Sequence, residues 1–141
     1  MKNKGFTLIE LLAVIVILAI IALIATPMIL GVIDTAKKGS AESAALGYID
    51  AVEKTIMLSQ FKTTGAITIP AENTVLTVGA DGKLSGTGVT AFEVELKGEA
   101  PKQGSTVTVK KSGEVTAISL EFEKVYSGHR VTLVNGKALA S

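Results

Sequence analysis

The sequence predicts an α+β protein in which a long N-terminal helix packs on a small antiparallel β-sheet. Two observations predict this fold. The hydrophobic residues are concentrated in the first third of the chain, and the remainder breaks into short runs rich in valine and threonine. A sheet with one apolar face needs a covering layer, and the helix just upstream is the element available to provide it. At 141 residues the chain has room for one modest domain, or for a tail and a small domain.

The first third of the chain has the composition of a membrane-spanning helix. No residue from Leu11 to Ile33 is charged, and a stretch of this length can cross a bilayer as a helix. The departures from aliphatic residues and methionine in this stretch are Thr26, Pro27 and Gly31. Because Lys2 and Lys4 precede the apolar run, we expect the N-terminus to lie on the cytoplasmic side.

Apolar residues then recur with helical spacing over residues 34–60. The recurring residues are Ala45, Ile49, Val52 and Ile56, at spacings of four, three and four. This spacing places them on one face of a helix, with charged residues on the rest of its surface. We therefore predict one long helix, apolar all round over residues 6–33 and one-sided afterwards. Pro27 removes a backbone hydrogen bond and should kink or loosen it.

Residues 61–141 are predicted to form a β-sheet head. The candidate strands are TVLTV, VTAFEVEL, STVTVKK, VTAISLEF and HRVTLV, separated by turn signals such as Ser-Gly and Asn-Gly. Alternation is clearest in Val107/Val109, in Ile118/Leu120/Phe122 and in Val131/Leu133. We expect these side chains to face the helix and the interleaved polar ones to face water. The region from Thr63 to Ala66 is the predicted hinge between helix and sheet.

Glu10 is the unexpected residue of the apolar N-terminus. A carboxylate at the centre of a bilayer costs about 2.5–3.5 kcal/mol on insertion scales, and less near the interface. Near the cytoplasmic end, Glu10 could reach the headgroups, so a plain single-pass anchor remains a possible interpretation. A cleavable secretory signal is disfavoured, because the first thirty residues contain no A-x-A site and the apolar run is too long.

The segment KGFTLIELL, from Lys4 to Leu12, resembles the start of type IV pilin precursors and pseudopilins, which carry a class III-type leader. In that family a membrane peptidase, the prepilin peptidase, cuts after the glycine that corresponds to Gly5. It then methylates the new amino group, which here would belong to Phe6. The resemblance covers about the first 33 residues closely, and the helix-then-sheet layout agrees with it.

The same resemblance implies roles for further residues of the N-terminal helix. Glu10, together with Thr7, corresponds to the family's assembly positions. In assembled filaments of the family the helix is locally unwound near the proline that matches Pro27, and Gly31 would add to that weak zone.

Physical chemistry supports an assembly role for Glu10. Cleavage after Gly5 would create an amine at Phe6 that stays cationic after methylation. In a bundle of helices, the amine of one subunit can meet the carboxylate of the next. Apolar surroundings penalise both charges when they are unpaired, so the pair would set a register that hydrocarbon packing alone leaves undefined.

The resemblance implies a structural subunit, a type IV pilin polymerised into an extracellular filament. Residues 1–5 would be a cleaved leader, 6–33 a transmembrane and filament-core helix, 34–60 its amphipathic half and 61–141 the head domain. The implied partners are copies of the chain itself, the prepilin peptidase, a membrane platform protein and an assembly ATPase. Membrane lipid would surround the helix of the single-pass precursor in the inner (cytoplasmic) membrane before the filament reaches the cell surface.

Two alternatives stay open at this point. The chain could be a pseudopilin of a type II secretion or competence DNA-uptake system, whose precursor carries the same leading motif. It could also be a membrane-anchored module whose sheet binds a ligand. Cysteine is absent, whereas many pilins of double-membraned bacteria carry a C-terminal disulfide. This difference favours a single-membraned (Gram-positive) source or a pseudopilin, and it leaves open how Gly128 to Ser141 are held.

No catalytic motif is present in the sequence. His129 is the only histidine and has no nucleophile motif beside it. The fragment Gly86-Thr87-Gly88 is too short for a phosphate loop, and the turn at Asp81 lacks the several carboxylates that calcium prefers. Basic residues are interleaved with acidic ones without an aromatic platform, so no specific nucleic acid is predicted as a partner. We predict a protein that is not an enzyme, without cofactor or metal.

Overall fold

The computed structural model describes residues 5–124 and 128–141. The elements are α1 (Leu8–Gln60), β1 (Thr74–Val78), β2 (Leu84–Gly86), β3 (Val89–Phe92), β4 (Thr106–Val109), β5 (Val115–Glu121), β6 (Arg130–Val134) and β7 (Lys137–Ala140). This arrangement confirms the predicted α+β, pilin-like fold. The chain forms two compact units, one ending at Ala36 and the other comprising Lys37–Ser141, and α1 contributes residues to both.

The N-terminal unit is an apolar helix with its side chains exposed. Its most apolar 18-residue window has a mean hydropathy of 3.2, and none of that window is buried within the chain. By length and composition, α1 can cross a membrane. Helical structure continues through Pro27, and the Thr26 hydroxyl donates to the Ala22 carbonyl at 2.7 Å. Lys2 and Lys4, which set the predicted orientation, lie outside the described residues.

In the second unit, α1 covers the sheet with a narrow stripe of side chains. The buried residues of the helix are Ala41, Ala45, Tyr48, Val52, Ile56 and Ser59. Ile49, which was predicted in the stripe, is half-buried at its border, while Tyr48 lies within it. Burial raises the pKa of Tyr48 to about 12, because the phenolate would lose its hydration.

The sheet is antiparallel, with the strand order β3-β2-β1-β4-β5-β6-β7 in the described part of the chain. Its register aligns the buried side chains in rows, since Leu76 lies opposite Val107 and Val107 opposite Ile118. Leu120 lies opposite Val131 in the next pair of strands. The predicted alternation is confirmed, because these residues form the core with the α1 stripe.

The sheet differs from its prediction in three strands. The run VTAFEVEL was predicted as one strand, but β3 ends at Phe92 and the following residues leave the ladder. Val94 and Leu96 still pack partly on the core, so their alternation reflects packing without strand pairing. Strands β2 and β7 were not predicted. The first has only three residues and ends in glycine, and the second is the alanine-rich KALA, whose intrinsic strand propensity is low.

Candidate processing and assembly site

The described chain enters α1 through Gly5, Phe6 and Thr7, all of them exposed. Thr7 is the N-cap of the helix, because its carbonyl accepts the first helical bond from the Leu11 N–H at 3.2 Å. The helix therefore begins at Leu8, two residues after the predicted start. Phe6 lies outside the helix with 85% of its surface exposed.

Thr7 and Glu10 form a reciprocal capping box. The Thr7 hydroxyl oxygen accepts from the Glu10 N–H at 3.3 Å. In return, Glu10 Oε2 accepts from the Thr7 N–H at 2.8 Å and from the Thr7 hydroxyl at 2.7 Å. These bonds satisfy N–H groups that the start of a helix leaves without partners. They also hold the carboxylate against the residue that follows Phe6.

The structure thus brings together two of the residues predicted from the sequence, Thr7 and Glu10, directly after Phe6 in the chain. The bond between Thr7 and Glu10 within the chain was not predicted, since the expected partners of Glu10 were the lipid headgroups or the amine of a neighbouring subunit. The pattern Thr-x-x-Glu before an apolar run is a known sign of a capping box and would have revealed it. A negative charge in the first turn is also favoured by the helix dipole.

Gly5 stands in open space. A Cβ added at Gly5 would meet no heavy atom within 4 Å, and its φ angle is not in the left-handed region. The fold of the described chain therefore gives no steric reason for glycine at this position. A requirement for glycine would have to come from a molecule that binds this segment.

Pro27 and Gly31 are separate from this site. Glu10 and Pro27 are 17 positions apart on the helix, which corresponds to about 25 Å. Proline has no N–H, so the Leu23 carbonyl cannot receive the usual helical bond. A Cβ added at Gly31 would also meet no heavy atom within 4 Å, so packing inside the chain does not require glycine there.

Asp81 and His129 were considered above for calcium binding and for catalysis, and the structure places them in a turn and next to a strand. Asp81 Oδ1 accepts from the Lys83 N–H at 3.1 Å, as expected for a turn. Within residues 5–124 and 128–141, no group of three or more His, Asp or Glu side chains is arranged to hold a metal ion. His129 lies just before β6.

A comparison with protein families identifies the first part of the chain. The family model described as the prokaryotic N-terminal methylation motif matches residues 1–26. This match supports a leader of the type IV pilin and pseudopilin class at the N-terminus. No curated protein and no solved structure matches the chain. The leader match includes Gly5, Phe6, Thr7 and Glu10 and ends just before Pro27, so the head is characterised by its fold alone.

Proposed function

We propose that this chain is the precursor of a type IV pilin. It is cut after Gly5, methylated on Phe6 and polymerised through α1 into an extracellular filament. The observation that carries this proposal is the methylation motif at residues 1–26, at the start of a fully exposed apolar helix. Such a helix needs lipid or neighbouring helices around it, because exposed hydrocarbon is unfavourable in water.

Assembly exchanges one apolar environment for another. Lipid tails are as apolar as leucine, so replacing lipid by neighbouring helices supplies little hydrophobic driving force and no register. The ion pair between the Phe6 amine of one subunit and Glu10 of the next provides that register. The capping box supports this role, because Thr7 holds the Glu10 carboxylate at the helix start before a partner arrives.

Pro27 and Gly31 form the weak zone of the helix in the assembled state. The chain has one fewer helical hydrogen bond at Pro27, and glycine lowers the local helix propensity at Gly31. Local unwinding there would let a subunit extend while both ends of its helix stay packed. Helical hydrogen bonds that persist around Pro27 in a filament structure would contradict this part of the proposal.

The proposal includes a route and a set of partners. The prepilin peptidase processes the single-pass precursor in the inner (cytoplasmic) membrane. A membrane platform protein and a cytoplasmic ATPase then drive its extraction into a homopolymer on the cell surface. An origin in a single-membraned bacterium stays a prediction.

A pseudopilin of a secretion or DNA-uptake system is the second candidate, because the matched motif ends at residue 26 and precedes the head. The length of the filament separates the two functions. Long filaments in material sheared from cells would support the pilin, whereas short fibres confined to the envelope would support the pseudopilin.

The deciding experiment is the intact mass of the native protein from sheared or membrane fractions. We expect the mass of residues 6–141 plus one methyl group. The matched control is Gly5→Val, which has space in the described chain and should keep the full-length mass because it blocks the peptidase. A wild-type protein with the full-length mass, or with a cut elsewhere, would overturn the proposal.

A further inference from the structure

Two glutamates of α1 reach the sheet and bind its backbone. Glu53 Oε1 accepts from the Val115 N–H, at the start of β5, at 2.8 Å. Glu42 Oε1 accepts from the Ala140 N–H, in the C-terminal strand β7, at 3.0 Å. Both glutamates are half-buried, and both bonds lie within the unit Lys37–Ser141. They join residues 62 and 98 positions apart in the chain.

The two bonds lie on one side of α1 and well apart. Glu42 and Glu53 are 11 positions apart on the helix, which corresponds to about three helical turns and about 16 Å. Val115 begins a central strand, whereas β7 is an edge strand. One such point restrains sliding along the helix axis, and the second also prevents the helix from pivoting on the sheet about the first.

The apolar contacts between α1 and the sheet restrain sliding of the helix less well than these two hydrogen bonds do. Its helix side consists mainly of aliphatic residues at four- and three-residue spacing. A shift by one turn replaces Ala41 by Ala45 and Val52 by Ile56, and it brings Gln60 to the place of Ile56, so most of the side chains that face the sheet stay apolar. Hydrophobic burial depends on area and has little directional preference. A hydrogen bond to a carboxylate is directional and strong, and a shift of about 5.4 Å would break both of them.

The Glu42 bond also gives a partner to a backbone N–H at the edge of the sheet. The N–H and the carbonyl of Ser141 both pair with Arg130 of β6. Neighbouring residues of an antiparallel strand alternate in direction, so the Ala140 N–H points away from β6. Glu42 satisfies this outward N–H, which an edge strand would otherwise present to other chains. The cysteine-free C-terminus, whose attachment the sequence left open, is thus held by the β6–β7 ladder and by Glu42.

We propose that Glu42 and Glu53 act together as a register lock that stops the sheet from sliding along α1. Losing either bond leaves a single point of attachment, so each glutamate protects the amide bound by the other as well as its own. In a filament, tension would enter the head through α1, and the lock would keep the head in place. This last consequence rests on the proposed function, whereas the lock itself does not require polymerisation.

The test uses the full-length protein in detergent micelles, with amide hydrogen exchange measured at Val115 and Ala140 by NMR. The variants are Glu42→Met, Glu53→Met and the double variant, which preserve side-chain length and remove the accepting oxygen. Asp50→Met is the matched control, because it makes a similar change at an exposed position between the two on the same helix. The contact between the Ile56 methyl group and Gly113 reports the native register, since a Cβ added at Gly113 would lie 2.9 Å from Ile56 Cγ2.

We expect each single variant to accelerate exchange at both amides about tenfold, and the double variant to add little more, because the bonds act as one unit. The Ile56–Gly113 contact should weaken in the single and double variants alike and persist in Asp50→Met. Exchange that rises only at the amide whose own glutamate was changed would overturn the lock. If the double variant does not fold, the cross-effects in the single variants still decide the question. Micelle experiments are independent of assembly, so a failed lock and a failed pilin assignment give different results.

Discussion

Glu10 accepts two hydrogen bonds from Thr7, one from the backbone N–H and one from the hydroxyl. These bonds give the acid a function within its own chain, which explains how a carboxylate can be placed reproducibly at the start of an apolar helix. In the proposed filament this carboxylate is also the partner of a neighbour's amine. Thr7 is therefore a positioning residue, and its hydroxyl can be tested separately from the charge of Glu10.

Thr7→Val should reduce assembly several-fold without preventing cleavage. Valine keeps the backbone N–H that Glu10 binds but loses the hydroxyl, so the carboxylate keeps one of its two bonds from this residue. Thr7→Ser keeps the hydroxyl and should assemble like the wild type. Filament yield in sheared fractions, normalised to the cleaved subunit in the membrane, provides the measurement. Equal yields from the valine and serine variants would show that the capping hydroxyl has no role in assembly.

At the scale of elements, the turn between β4 and β5 packs directly on α1. Gly113 in this turn has a φ angle of +91°, which L-residues rarely adopt. An added Cβ would also come within 2.9 Å of Ile56 Cγ2 on the helix. The turn is thus constrained by its own backbone and by the helix at the same time.

Gly113→Ala should destabilise the protein by about 2–3 kcal/mol, through backbone strain together with overpacking against Ile56. Gly104→Ala is the matched control, because Gly104 has a similar φ of +87° but open space around its Cβ. We expect the control to lose only the backbone contribution, about 1 kcal/mol. Thermal unfolding of the full-length variants in micelles measures the difference. Equal losses would mean that the helix contact at Gly113 is unimportant.

The elements also differ in how far the sequence determines them. Strand β1 was predicted with its exact ends, because TVLTV combines β-branched residues with clear flanking turns. Strand β7 was missed, because lysine, alanine and leucine do not favour strands. It forms because Asn135 and Gly136 have φ angles of 51° and 74°, the left-handed pair of a tight hairpin turn. The backbone of β6 then pairs with it as an antiparallel strand.

At the scale of the whole molecule, carboxylates stabilise the head against unfolding. Glu121 of β5 lies opposite Arg130 of β6 and forms an ion pair with it. The hydrogen bond from Arg130 and then its charge hold the pKa of Glu121 below its usual value. At the opposite hairpin, the hydrogen bond to Glu114 and then its charge raise the pKa of Lys110. The first pair joins two neighbouring strands, whereas the second lies in the turn between β4 and β5, and the side chains of both pairs are solvent-exposed.

The ion pair between Glu121 and Arg130 should make part of the free energy of unfolding depend on pH. Because the pKa of Glu121 is lowered in the folded state, the unfolded chain binds protons more readily. The contribution is therefore complete above the ordinary glutamate pKa and is lost as the pH falls through the lowered folded value. Glu121→Gln should flatten this part of the curve of melting temperature against pH below about pH 5. The exposed Glu95→Gln serves as the control, and identical pH curves for the two variants would contradict the prediction.

The sequence alone determined the main features of this protein. The uncharged run from Leu11 to Ile33, the Gly5–Phe6 pair and Glu10 predicted a membrane-length helix with a processing leader, because these signals depend on composition and short spacing. The alternation of valines and threonines predicted an antiparallel sheet with one buried face, since side chains in a strand point alternately to its two faces.

Only the tertiary structure decided how these pieces are joined. The bonds of Glu42 to β7 and Glu53 to β5 connect residues far apart in the chain, and no local pattern marks which exposed-looking glutamate will meet which amide. The strand order and the pairing that makes KALA a strand likewise depend on partners brought together by folding. Local signals follow from the steric and hydrophobic preferences of neighbouring residues, whereas these contacts exist only once the helix and sheet have packed.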